Sequence, residues 1–183
     1  MAELIFNKTP YGYTIDIKLL SRPEDSISMS LDTGSPITTI CMQNLIEISK
    51  ETRMTLINKV DAAIEKKNYI EFGVYGSQDH NINRRFVPYL LDNVVIGGQK
   101  FAFFLFWLDV TNYKTQTAIT STLFGFDYIK QGLKSFDDQD NFHIKIDNGF
   151  NIDIGDLDGV LSHYKNEVCS LREIESLEQS MSL

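Results

Sequence analysis

Apolar and polar residues alternate along YGYTIDIKLL (11–20) and SISMSLD (26–32), two runs separated by the proline-containing polar turn SRPED. A period of two predicts a β-hairpin, and its second strand ends at Asp32. After the β-branched run 37–40 the pattern changes: residues 42–68 hold no Gly or Pro, and Met54, Ile57, Val60 and Ile64 recur every three or four positions. That spacing predicts one or two helices. Alternation returns in NYIEFGVYG (68–76), a polar loop SQDHNIN follows, and RRFVPYLLDNVVIGG then QKFAFFLFWLDV supply two or three more strands. The last is almost wholly apolar, as expected of a strand buried on both faces.

Beyond the loop-like TNYKTQTAIT, the stretch STLFGFDYIKQG reads as a buried strand, a glycine and a short helix stopped by Gly132. FHIKI, DNG and FNIDI then predict a hairpin, because Asn-Gly supplies the positive φ angles of a tight turn. From Leu157 onward, Val160, Leu161, Tyr164, Val168, Leu171, Ile174 and Leu177 fall at helical spacing, and the final EQSMSL is expected to fray. No repeat, low-complexity stretch or linker divides the chain, so residues 1–183 read as a single domain, mainly β with helical additions.

Composition narrows the functional classes. With 43% hydrophobic and 11% aromatic residues the chain has material for a packed core, which argues against a disordered protein. Its 17 basic and 25 acidic side chains leave a net charge of −8, so no nucleic-acid partner and no anionic membrane partner is expected. Cys41 and Cys169 show neither CxxC nor His-rich spacing and read as free thiols. His80, His143 and His163 stand singly in sequence, so no metal site and no cofactor is expected. MAELIFNKTPYG lacks the basic segment and long apolar stretch of a targeting signal or anchor, which points to the cytoplasm.

The chemistry concentrates at SLDTGSPITTI (30–40), where a strand stops at a carboxylate and turns through three small residues. Gly34 lets backbone N–H groups approach Asp32, and Ser35 can donate its hydroxyl, so a lone Asp32 is a charged group at a rim with little to do. Two such carboxylates facing each other are different, because like charges about 3 Å apart cannot both ionise and one proton is shared. The ionised member is then a base toward water, and the protonated member an acid toward the carbonyl under attack.

LDTGSPIT resembles the signature of the aspartic proteases. In order along the chain come the preceding hairpin, Ser35 after Gly34, the strand 37–40, a hairpin with a polar tip over 70–90, and LFGFDYI (123–129). That order is similar to a single-lobed, retropepsin-like protease over a core of 12–131. The resemblance implies a closed β-barrel with a helical insertion (42–68) after the active-site loop and a C-terminal extension (133–183) of hairpin plus helix. It makes Asp32 the catalytic acid, Thr33 a cross-link between two active-site loops, Gly34 the residue of the tight turn and Ser35 a hydrogen-bond donor to the carboxylate. Gly125 would pack beneath that loop, and a flap, with Val74, Tyr75, Gly76 and Ser77 against the substrate, would close over the cleft. LDVTNY (108–113) lacks the glycine, and Asp127 follows Gly125 at a helix start, where the dipole favours a carboxylate. With one competent loop per chain, the implied enzyme is a homodimeric aspartic endopeptidase acting on a peptide or protein substrate. The alternative is a catalytically inactive relative serving as a dimerisation or peptide-binding module.

Overall fold

A computed structural model describes residues 2–49, 51–73, 83–115 and 122–147, together with Ser162. Among them ten strands form one sheet system: β1 (Ala2–Thr9), β2 (Gly12–Leu19), β3 (Ser26–Leu31), β4 (Thr39–Cys41), β5 (Ile70–Gly73), β6 (Asn83–Ile96), β7 (Gln99–Asp109), β8 (Leu123–Phe124), β9 (Leu133–Phe136) and β10 (Phe142–Ile146). Helices α1 (Met42–Ile48), α2 (Arg53–Glu65) and α3 (Phe126–Ile129) interrupt them. The neighbours run β2–β3–β8–β4–β7–β6, and β6 returns to β2 through Ile17 opposite Ile96, so six strands close into a barrel. The mainly β architecture expected from the pattern, and the closed barrel that the resemblance implies, are both observed.

Inward positions of the closing strands supply the core. Ile15, Ile17, Met29, Leu91, Val94, Ile96, Phe106 and Phe124 are all buried, each removing a large apolar side chain from water at roughly 1.5–3 kcal/mol. β6 and β7 form one long hairpin turned by Gly97 and Gly98, whose φ angles of 54° and 85° give the mirror-image turn that matches strand twist. Pro88 is tolerated inside β6 because it lies beyond the pairing with β5, which stops at Phe86, and before that with β2, which starts at Val94. In β7 only the second half, Phe104 to Asp109, is buried on both faces; Phe103 is exposed.

The helical insertion is two helices. Cys41 Sγ caps α1 by accepting from Asn44 N–H, and Thr52 Oγ1 caps α2 by accepting from Thr55 N–H. The buried face of α2 is centred on Leu56 and Val60, and Met54 points to solvent, so the stripe is turned from the one the spacing suggests. A second small sheet hangs from the barrel. β1 pairs with β2 through Asn7–Thr9 and with β10 through Ala2–Phe6, while β9 pairs with the other edge of β10. β9 and β10 form a hairpin of their own, and among the described residues both edges of β10 are paired. The expected partner strand 150–154 and the helix from Leu157 onward lie outside the described residues.

Candidate active site

β3 and β4 follow one another in sequence but are not neighbours in the sheet. β8 lies between them, pairing with Ser30 and Leu31 on one side and Thr39 on the other. The connection 32–38 must therefore arch over the end of β8, and the chain leaving β8 passes directly beneath it as Gly125. No side chain fits there: a Cβ on Gly125 would stand 2.2 Å from the Ile37 carbonyl oxygen and 2.9 Å from that of Ser35. The topology dictates the glycine.

Asp32 heads the arch. Its N–H donates to the Phe124 carbonyl (3.0 Å), its carbonyl accepts from Ser35 N–H (3.2 Å), and its carboxylate Oδ1 accepts from Gly34 N–H (2.9 Å). Asp32 is half-buried at the rim of the barrel, with Thr33 and Gly34 exposed beside it. The Ser35 hydroxyl, expected on the carboxylate, instead donates to the Ile37 carbonyl at 2.7 Å. The reason is local: the arch brings that carbonyl within reach two residues on, and Ser35 fastens the loop to itself. Val74, Tyr75, Gly76 and Ser77 lie outside the described residues, as does most of the polar hairpin tip; the hairpin's base, β5 with the start of β6, is described.

Beneath the arch sits a network absent from the sequence reading. Thr38 and Asp127 are both buried. Asp127 accepts at Oδ1 from the Thr38 hydroxyl (2.7 Å) and from Tyr128 N–H (2.9 Å), and at Oδ2 from Thr38 N–H (3.1 Å). The Thr38 hydroxyl in turn accepts from Gly125 N–H at 2.9 Å, which fixes its direction: it must donate toward Asp127. Phe126 N–H completes the attachment by donating to the Ser35 carbonyl at 2.8 Å. Asp127 does stand in the first turn of α3, as expected, but its contacts run to the arch as well as to its own helix. The signal was present in outline, since a carboxylate in the apolar run LFGFDYI and a threonine pair in ITTIC must each find a partner once buried.

The other carboxylate considered, Asp109, ends β7 and is buried against Arg84 of β6, with Nη1 to Oδ2 at 3.3 Å, while Oδ1 accepts from Thr111 N–H. It belongs to the base of the β5–β6 hairpin. A groove of about 280 Å³ between Lys59, Val60 and Ala63 of α2 and Val87–Leu90 of β6 receives no residue of the arch. Among the described residues no group of three or more His, Cys, Asp or Glu could hold a metal ion, and no helix is long and apolar enough to cross a membrane.

No protein-family model matches the chain, and no curated protein matches it. Among solved structures, it is similar to the crystal structure of a retropepsin-like aspartic protease from Rickettsia conorii, with a TM-score of 0.46 and 15% identity over 79% of this chain and 91% of that one.

Proposed function

We propose that the chain is an aspartic endopeptidase that works as a homodimer, with Asp32 from each copy forming one catalytic pair. The observation that carries this reading is the placement of Asp32: a half-buried carboxylate at the head of a rigid arch, oriented by Gly34 N–H and flanked by exposed small residues that leave room for an identical loop. One carboxylate can serve as a base or as an acid but not as both in the same step. Two related by a twofold axis share a proton, so one deprotonates a bound water while the other protonates the carbonyl oxygen that the water attacks. The tetrahedral intermediate collapses with the proton passed to the leaving amine, and no covalent enzyme intermediate is formed.

In this reading Thr33, exposed next to Asp32, meets the partner's loop, and residues 74–77 close over an extended peptide lying across the rim. The interior of the cell is the proposed compartment. Asp32→Asn tests the reading: it replaces an ionisable oxygen by an amide of the same shape. Wild-type protein should cleave members of a peptide library and Asp32→Asn should lose at least about 10³-fold in kcat, a loss consistent with removing a group essential to proton transfer, while light scattering finds the same dimer for both. Equal cleavage by the two proteins, or a wild type that stays monomeric with substrate present, would overturn it.

A further inference from the structure

We propose that Thr38 and Asp127 are positioning residues that set the separation of the two Asp32 carboxylates, an inference that rests on the peptidase reading above. Neither residue reaches solvent, with 0% and 2% exposure respectively, so neither can touch a substrate. Their effect is on the arch. That loop is held at its head by Asp32 N–H on Phe124 O, at its middle by Phe126 N–H on Ser35 O, and at its root by Thr38, whose carbonyl accepts from Trp107 N–H and whose hydroxyl donates to Asp127. The bonds on the Phe124, Ser35 and Thr38 carbonyls are backbone bonds that almost any sequence could make. The Thr38–Asp127 bond depends on two side chains, and the Thr38 hydroxyl is a joint that accepts from Gly125 N–H and donates to Asp127.

Gly125 is the pivot of this assembly. Its α-carbon lies so close to the Ile37 and Ser35 carbonyls that the arch has one height above β8, and Thr38 keeps the root pressed down onto it. Without the joint, the arch loses its side-chain tie to the segment beneath it and rests on the backbone bonds at Asp32, Ser35 and Thr38, so its height above Gly125 is less closely fixed. Asp32 then shifts relative to its twofold mate. A displacement of order 1 Å at reacting groups costs about 10²-fold in rate, and it also weakens the repulsion that splits the two proton-loss steps of a carboxylate pair.

The test compares Thr38→Val, which keeps the shape and removes the hydroxyl, with Thr38→Ser, which keeps the hydroxyl. In Thr38→Val, kcat should fall about tenfold or more with KM within about twofold, and the acid and alkaline limbs of the pH–rate profile should draw together. Thr38→Ser should restore both kcat and the width of the profile. A merely structural loss would change the amount of folded enzyme and leave the profile width alone. Thr38→Val with wild-type kcat and profile width would overturn the inference while leaving the peptidase reading in place. A wild type that cleaves nothing would overturn the peptidase reading and the catalytic part of the inference together. Should Thr38→Val fail to fold, amide hydrogen exchange on the wild type decides: Thr38 and Gly125 N–H should exchange as slowly as the barrel strands, and fast exchange at either would overturn the cross-link.

Discussion

Gly125 shows how one residue type can be forced by topology. Because β8 is threaded between β3 and β4, the arch and the chain beneath it pass at backbone contact, and the first atom of any side chain has no place to go. Gly125→Ala should therefore destabilise the fold by about 2 kcal/mol or more, since the obstacle is the Ile37 carbonyl rather than a side chain that could rotate away. Thermal unfolding would read this as a lower Tm. Ser35 carries a different lesson. Its hydroxyl was expected on Asp32, from residue type and proximity in sequence, and it bonds to the Ile37 carbonyl instead. Sequence states which donors are near; the path of the backbone decides which acceptor each one meets.

At the scale of elements, the β5–β6 hairpin is tied to the barrel by the Arg84–Asp109 pair, whose side chains are 12% and 2% exposed. Arg84→Ala would take this cation from a buried carboxylate, a change that costs about 3 kcal/mol when a buried pair is broken from one side, and denaturant unfolding should find it. Arg85 beside it, ion-paired to Glu71 on the surface, should contribute under about 1 kcal/mol. Most elements were legible because their patterns are local. The alternation in 11–20 and 26–32 gave β2 and β3, and the Gly-Pro-free stretch 42–68 gave α1 and α2. β1 was not, because Ile5 points outward and is 40% exposed, interrupting the alternation of buried Leu4 and Phe6. Its pairing partner β10, moreover, is far along the chain. The Asn-Gly signal at 148–149 is equally local; of the partners β10 takes, β9 lies across a short turn and β1 is brought in by tertiary packing. In the candidate site, Asp32, Gly34 and Gly125 were readable from LDTGS and LFG. The Thr38–Asp127 bond was not, because it joins two runs 89 positions apart.

For the whole molecule, the outer sheet is clamped around His143. Its Nδ1 lies 2.9 Å from Glu3 of β1 and its Nε2 lies 2.8 Å from Asp137 in the β9–β10 turn, with Lys145 paired opposite Glu3. The hydrogen bond to Asp137, and next that to Glu3, raise His143 above its ordinary 6.5. His143 in return holds Asp137 down at about 2 against an ordinary 3.8, helped by the N–H groups of Asn141 and Gln139 and opposed by burial. A raised histidine adds stability that is complete below pH 6.5 and is lost as pH climbs through its folded value. A lowered carboxylate adds stability that is complete above 3.8 and is lost as pH drops toward 2. The clamp is thus at full strength between about pH 4 and 6.5. Tm should fall for the wild type as pH climbs above 6.5, and His143→Gln should flatten that slope. The same clamp has a consequence for biosynthesis. Glu3 and His143 are 140 positions apart, so at ribosomal speeds the outer half of β1 waits roughly ten seconds for its partner to emerge. Throughout that interval Leu4 and Phe6 are bare on a nascent polypeptide, a stretch that trigger-type chaperones or misassembly with a neighbouring nascent chain can reach first.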